Sequence, residues 1–449
     1  MTDLTALATR AYVYGYPMVY DLTEVGMGVS GARANMSAPY NTFWHGRTLA
    51  GPAENFVSIN NDTLYSIVQG DVSEEPQVLH LPATNDRYSV MQFVDAWTNN
   101  FAYLGRRATG TDEQTWLLAA PGWDGDLPEG VRVITAPTTV FTIVGRYAVD
   151  GEADLPAVHR LQDDTWLTPL SRYPERTNAG DLSGGERDPM PWNRDVDPDL
   201  VWWEKFRFWS QLYPPADPEV LASFAALGVL EKDSPYVDPD PALRAALVAA
   251  QEQGQQQIDE IASHGFGDAV NGWSSALHSF DYNVSRFEVG TIDAPEWKIA
   301  DPVRMAITRA AAARGGLWGN HGYEAAYYAS SVDANGDLLT GERRYILHFD
   351  QVPPVDAFWS ITMYDTPNYY LVENPIDRYS IGDRTPDLVY NEDGSLDIHV
   401  QTDDPGDEKR SNWLPSPAGV FRPLIRMYQP QAPVLEGNYV LPPFTRIDS

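Results

Sequence analysis

Two polar-aromatic runs concentrate the side chains able to do chemistry. One is Asn60-Asn61-Asp62-Thr63-Leu64-Tyr65-Ser66. The other is Phe358-Trp359-Ser360-Ile361-Thr362-Met363-Tyr364-Asp365, continued by Arg378-Tyr379-Ser380. Each mixes rings that favour burial with amides, hydroxyls and carboxylates that need hydrogen-bond partners once buried. A carboxylate in such a setting can have its pKa tuned for proton transfer, a phenol can share its proton, and a guanidinium can orient an anion. Asp62 and Asp95 are the candidate acid/base groups, Tyr65 the hydrogen-bonding partner and Arg107 the orienting cation. Asn61, Trp97 and Asn100 are candidate substrate contacts. Tyr364 and Arg378 join them if the site lies between domains. The structural alternative has Asp62 or Asn60 closing an Asx-turn, and Arg107, set among Gly105, Thr109 and Gly110, pairing with Asp62 or Asp95. The ion pair is the favoured of the two readings for Arg107.

Common catalytic signatures are missing: no Gly-x-Ser-x-Gly elbow, no P-loop, no dinucleotide-binding glycine motif and no His-Glu-x-x-His. A triad of Ser66, Asp95 and a distant histidine is conceivable, but sequence cannot assemble it. No two of the eight histidines stand at metal-ligand spacing. A composite site of His348 and His399 with Asp95 or Asp365 is the minor reading, so neither a metal nor another cofactor is expected. Asp333-Ala334-Asn335-Gly336-Asp337 looks superficially like a calcium loop, yet glycine falls at the fourth position, and a hairpin turn is the better reading.

The side chains are carried by 449 residues, 43% hydrophobic and 12% aromatic, enough for two or three domains with ring-rich, sheet-favouring cores. The net charge of −32 opposes nucleic acid and anionic membranes as partners. Zero cysteine excludes disulfides, thiolate nucleophiles and iron–sulfur clusters. No evident signal peptide and no apolar run of about 18 residues make a soluble, cytoplasmic protein the expectation.

Hydrophobic period places the elements. Residues 4–26 read as a helix that Pro17 ends or kinks. Short strands follow to residue 147, among them 87–93, 131–134 and 139–144. A loop is expected over 171–200. Helices are expected over 201–212, from Asp240-Pro241 to Ser263, and from Asp301-Pro302 to Gly315-Gly316. Strands return at 344–349, 357–363, 396–401 and 422–428, with hairpin turns at Asn335-Gly336 and Asp393-Gly394. The expected fold is mainly β with a helical segment, an α+β multidomain chain of two β-sandwich or jelly-roll-like domains linked by helices. Its boundaries fall at 1–170, 171–325 and 326–449. A duplication of the β part is conceivable, but residue-level repetition is too weak to claim it.

Together the runs resemble a bacterial two-domain family of unknown function, DUF1254 followed by DUF1214. The resemblance begins at Ala11-Tyr12-Val13-Tyr14-Gly15-Tyr16-Pro17. It continues through Asn61 to Ser66, Asp95 to Gly110 and Gly122 to Pro128, then Pro353-Pro354, Phe358 to Asp365, Asn374 to Ile381, Asn412 to Pro415 and Arg426 to Pro430. Ser58-Ile59 stands where the family more usually has Arg-Pro, and Tyr439 where it tends to have Trp. The resemblance implies two β-rich domains joined by helices, often as a homo-oligomer, and no dependable activity. From the residues, the leading expectation is a soluble enzyme acting on a small organic molecule by hydrolysis or acid–base chemistry. The alternatives are a non-catalytic binding or assembly protein and a metal-dependent hydrolase.

Overall fold

A computed structural model describes residues 3–33, 35–54, 58–176, 190–264 and 269–447, without the side chains of 263 and 264. Residues 177–189 of the expected loop, and the Ser263 side chain at the expected helix end, lie outside that description. Seven helices are described: α1 (Leu4–Val29), α2 (Leu155–Asp163), α3 (Val201–Leu212), α4 (Pro218–Ala222), α5 (Pro241–His264), α6 (Pro302–Gly316) and α7 (Ala432–Leu435). Eighteen strands accompany them. The first nine are β1 (Trp44–His45), β2 (Thr63–Asp71), β3 (Gln77–Leu81), β4 (Ser89–Asp95), β5 (Asn100–Gly105), β6 (Gln114–Ala119), β7 (Arg132–Thr135), β8 (Val140–Ala148) and β9 (Trp166–Pro169). The second nine are β10 (Trp273–Ser275), β11 (Ala325–Ser330), β12 (Tyr345–Phe349), β13 (Val355–Asp365), β14 (Ser380–Gly382), β15 (Leu396–Gln401), β16 (Trp413–Pro415), β17 (Phe421–Pro430) and β18 (Phe444–Arg446).

The strands make two sandwiches, each of a five-stranded and a four-stranded sheet. In the first, the orders are β1-β2-β8-β4-β5 and β7-β6-β3-β9. In the second they are β10-β11-β17-β13-β14 and β16-β15-β12-β18. Adding nine to every strand number of the first sandwich gives the second, so the two halves share one topology. Both even carry a parallel pair at the same place, β6 with β7 and β15 with β16. These mixed sheets give a jelly-roll arrangement no support. Leu64, Phe93 and Ile143 meet Leu79, Trp116 and Leu167 in the first core, and Trp359, Ile361 and Ile425 meet Leu347, Ile398 and Phe444 in the second. The chain is mainly β, multidomain, with helices between the sandwiches, as expected from the periodicity. The second sandwich begins earlier than residue 326, because β10 lies in the stretch expected to be loop and helix.

Register carries the equivalence to single residues. Arg146 lies between Tyr65 and Val90 in the first five-stranded sheet, and Arg426 between Tyr327 and Ser360 in the second. Val90 also pairs with Gly105, and Ser360 with Gly382. Both glycines pass so close to the adjacent strand that a Cβ would fall 2.2 Å from the Ser89 carbonyl oxygen or 2.0 Å from that of Trp359. Residue-level repetition is faint because the strands need only alternate apolar and polar faces, which many residues satisfy.

Helices α1, α3, α5 and α6 form a separate layer whose core holds Tyr12, Trp203, Phe206, Trp209 and Leu247. Asp3, Asp240 and Asp301 start α1, α5 and α6, each accepting from free backbone N–H groups of the first turn. Pro17 does not end α1, which runs through it to Val29. Neighbouring packing outweighs the one lost backbone bond. Gly336 (φ 82°) and Gly394 (φ 86°) sit in turns, but Gly394 leads into β15 and joins no two neighbours of one sheet. Among the described residues no helix is long and apolar enough to cross a membrane.

Candidate functional site

The two five-stranded sheets face each other, and the polar-aromatic runs meet in the seam between them. At its middle Tyr88 touches Phe358, its equivalent, with ring centroids 5.4 Å apart at 90°. Such self-contact is what a twofold relation between the halves produces. Tyr428 packs on both rings, at 5.3 and 4.3 Å.

On one side of this contact is Asp62, 4% exposed. Its Oδ2 accepts from Ser360 Oγ at 2.7 Å and Tyr428 OH at 3.3 Å, while Oδ1 stands 3.9 Å from the Arg384 guanidinium. On the other side is Glu324, the equivalent of Asp62, 1% exposed. It accepts from Tyr88 OH at 3.0 Å and from Arg107 Nε at 2.7 Å. Arg107 and Arg384 are themselves equivalents, each two residues beyond the close-approach glycine of its strand. Each half thus presents a carboxylate to the other half's arginine.

Deeper in the seam lie Arg146 and Arg426, 6% and 4% exposed. Arg146 donates to Gln92 Oε1 at 2.8 Å, Asn320 Oδ1 at 3.4 Å and the Trp318 carbonyl at 3.0 Å. Arg426 donates to Thr362 Oγ1 at 2.9 Å and the Ser58 carbonyl at 2.7 Å. Gln92 and Thr362 are again equivalents, each two residues beyond the arginine's pairing partner. Among the described residues no carboxylate comes within ion-pair distance of either guanidinium. Burial opposes the charge of Arg146, around which stand Tyr65, Tyr327, Tyr88 and Tyr428. Burial first, then Glu324 beside one and Asp62 beside the other, holds Tyr88 and Tyr428 far above the ordinary tyrosine pKa. At neutral pH both are uncharged hydroxyls.

Tyr65 stays partly exposed between buried neighbours in its strand, and Tyr327 stays partly exposed beside Tyr328, which is partly exposed too. Tyr327 OH accepts from Asn320 Nδ2 at 3.1 Å, whereas Tyr65, its ring 5.4 Å from Arg146, has no hydrogen-bond partner for its hydroxyl among the described residues. Both phenols thus keep some contact with solvent. The helical layer reaches it through Trp318, whose indole N–H donates to Asp21 Oδ1 of α1 at 2.7 Å. Burial pushes Asp21 up to about 8, with nearby Asp95 adding to it against the indole bond.

The residues singled out in sequence divide between the seam and elsewhere. Asp62 and Tyr65 are in it. Asn100 bonds Gln92 Nε2 and the Gly319 carbonyl beside Arg146, and Asn61 reaches Ser380 Oγ at 3.3 Å. Tyr364 donates to the Ile59 carbonyl at 2.6 Å and flanks Arg426 at 5.8 Å. Arg107 pairs with Glu324, where Asp62 or Asp95 was expected. Sequence could not bring together residues 217 positions apart. Asp95 closes its own loop, accepting from the backbone N–H groups of Trp97 and Asn99 and from the Asn99 amide. Burial raises its pKa. Trp97 belongs to the helical core and donates to the Tyr213 carbonyl. Arg378 donates to the carbonyls of Arg410, Ser411 and Trp413 within its own sandwich.

Of the imagined triad, Ser66 does meet a histidine, His45 Nδ1 at 2.8 Å, but Asp95 is committed to its loop. The His348–His399 site does not assemble with Asp95 or Asp365: His348 pairs with Asp397 and Asp350 instead. Asp333 and Asp337 both bind Arg446, which fills the role a cation would have in that turn. No cluster of three or more histidines and carboxylates capable of holding a metal occurs among the described residues. Arg146, Arg426, Glu324, Asn320 and Tyr327 escaped the sequence reading. Arg146 carried a usable signal, since it interrupts a largely apolar buried strand, whereas Arg426 shares its strand with Arg422 and Gln429.

The same halves appear in comparison with known proteins. The family described as Protein of unknown function (DUF1254) matches residues 40–169, and that described as Protein of unknown function (DUF1214) matches 324–432. The VPA0106 protein from Vibrio parahaemolyticus has the same fold, with a TM-score of 0.73 and 23% identity over 99% of this chain and 100% of that one. An uncharacterised protein from Burkholderia cenocepacia aligns with a TM-score of 0.45 and 12% identity over 97% of this chain and 88% of that one. No curated protein matches the sequence. The chain belongs to the two-domain family of unknown function in which a DUF1254 module precedes a DUF1214 module.

Proposed function

We propose that the seam between the sandwiches binds a small organic anion, anchored by Arg146. The observation that carries this reading is a buried guanidinium whose acceptors are an amide, a second amide and a peptide carbonyl, none of them charged. An uncompensated buried cation is costly, on the order of several kcal/mol, unless a counter-charge arrives. A planar guanidinium beside partly exposed phenols suits a carboxylate, which takes two parallel N–H bonds and further hydroxyl donors. Asp62 and Arg107 support this reading over hydrolysis, because both are used to tie one half to the other.

Acid–base turnover of the bound anion is the second reading. It rests on Asp62, whose Oδ2 is held by two hydroxyls while Oδ1 keeps only a distant arginine. The test is thermal unfolding of the full chain against a panel of small carboxylates. A ligand at 100 times its Kd should stabilise the protein by about 2.7 kcal/mol. Arg146→Gln, folded by circular dichroism, should lose that response, and Asp62→Asn should keep binding while abolishing any turnover. A wild-type protein that no anion stabilises would remove the proposal.

A further inference from the structure

We infer that Trp318 is a positioning residue for Arg146 and that Asp21 of α1 anchors it, so that anion binding in the seam answers to the state of the helical layer. The inference rests on the anion-binding reading above and adds how that site is regulated. Of the five N–H groups of the Arg146 guanidinium, three have acceptors: the side-chain oxygens of Gln92 and Asn320 and the Trp318 carbonyl. Two of those three acceptors lie in one short segment, 318–320, between α6 and β11. The same segment offers the Gly319 carbonyl to Gln92 at 2.8 Å and to Asn100 at 2.9 Å. It presses against Phe280, whose ring would lie 2.2 Å from a Cβ at residue 319. Where 318–320 sits therefore fixes the direction of the remaining Arg146 N–H groups.

The segment is tied to the helices by the Trp318 indole, which donates to Asp21 Oδ1 at 2.7 Å. That tie works against backbone strain, because Leu317, the link from α6, has φ 42° and ψ −76°, a conformation that residues with a side chain avoid. Such strain persists only while the surroundings hold it, so losing the indole bond frees the Trp318 carbonyl to leave Arg146. Asp21 also faces Asp95 from the β4–β5 turn and Tyr282 from the stretch before α6. Arg309 of α6 lies over the Tyr282 ring at 4.8 Å and donates to the Trp97 carbonyl. The other charges on this layer are engaged nearby: Glu24 with Arg33, Lys205 of α3 with the Thr23 hydroxyl, and Asp259 of α5 with Arg314. Burial keeps Asp21 protonated up to about pH 8. Above that a carboxylate stands behind Trp318, and its charge opposes an anion arriving at Arg146. Linkage makes the effect reciprocal, so a bound anion holds the proton on Asp21 to higher pH.

The test is calorimetric titration of the full chain with acetate and with benzoate, both ionised throughout, from about pH 7 to about pH 9. Wild-type affinity should fall at least about threefold as pH rises through about 8. Asp21→Asn keeps an acceptor for the indole and removes the charge, and should flatten that profile. Trp318→Phe and Asp21→Leu each remove the tie and should weaken binding at least about fivefold at every pH. A wild-type profile without the step, or a step that survives in Asp21→Asn, would overturn the coupling to Asp21 while leaving the anion site standing. Undiminished affinity in Trp318→Phe would overturn the positioning role. Binding of neither acid at any pH would remove the anion reading and this inference with it. The wild-type profile set against that of Asp21→Asn decides the matter even where Trp318→Phe or Asp21→Leu fails to fold.

Discussion

The two ends of the seam hold the same acid and the same base in different ways. Glu324 reaches Arg107 directly at 2.7 Å, whereas Asp62 stops 3.9 Å short of Arg384 and is satisfied by Ser360 and Tyr428. One methylene separates the two carboxylates. The longer side chain completes an ion pair, and the shorter leaves its arginine free to meet Asp150 at 3.3 Å on the rim. Duplication preserved where the charges stand while the two halves diverged in how each is neutralised. The Glu324 end has become a lock, and the Asp62 end keeps a carboxylate held by exchangeable hydroxyls.

The sharpest way to break this comparison is Arg107→Gln. It would leave Glu324, 1% exposed, with one phenolic donor and no counter-charge. Removing one partner of a buried pair costs about 3–5 kcal/mol. Urea unfolding should show that loss, and a cost below about 1 kcal/mol would mean the pair is no lock.

The helical layer adds a titrating group behind Arg146: Asp21 of α1 accepts from the indole of Trp318, whose carbonyl accepts from Arg146. Burial raises that carboxyl from 3.8 to about 8. The folded chain therefore keeps a proton that the unfolded chain releases above about pH 4. The stability linked to Asp21 is present in full below that pH and is lost as pH rises through about 8. Asp21→Asn keeps an acceptor for the Trp318 indole and removes the titration. At pH 8 it should be more stable than wild type by on the order of 5 kcal/mol, with the difference vanishing near pH 4. A wild-type stability curve parallel to the variant's across that range would contradict the assignment. Asp383, pushed up to about 6 mainly by burial, slopes the same way in both proteins and cancels in the comparison.

How much of this was legible follows from the same asymmetry. Strand and helix positions were readable because periodicity is local: α3 spans Val201–Leu212, the stretch that carries the Trp202-Trp203-Phe206-Trp209 stripe. The meeting of Asp62 with Ser360, 298 residues away, was only a conditional expectation, since no local pattern encodes it. Asp95 misled for a related reason. Asp-x-Trp-x-Asn is as good a loop-closing sequence as a catalytic one, and the carboxylate closes its loop. Arg146 is a lone cation in a largely apolar strand and Arg426 sits in a strand with Arg422 and Gln429, so neither forms a polar-aromatic run that local pattern could mark.

A smaller effect is expected at the other acid. Asp62→Asn preserves an oxygen to accept from Ser360 and Tyr428 while deleting the charge, so the loss should be about 1–2 kcal/mol by the same unfolding measurement. A loss matching that of Arg107→Gln would make the two ends equivalent and erase the distinction drawn between them.

The smallest effect should come from Arg384→Gln. Arg384 stands 3.9 Å from Asp62, and its pair with Asp150 involves a carboxylate 70% exposed, where water and salt screen the attraction. Its guanidinium also lies 3.6 Å over the Phe358 ring, and it donates to the Asp62 carbonyl at 3.2 Å. A glutamine retains part of that stacking and one donor. The expected cost is at most about 1 kcal/mol, shrinking further in high salt. Arg107 and Arg384 hold equivalent places after equivalent glycines, so their substitution to the same residue is the most controlled contrast the fold offers. Unequal costs would locate the difference in the length of the facing carboxylate. That can be checked by Asp62→Glu, which should raise the cost of Arg384→Gln toward that of Arg107→Gln if the added methylene closes the pair.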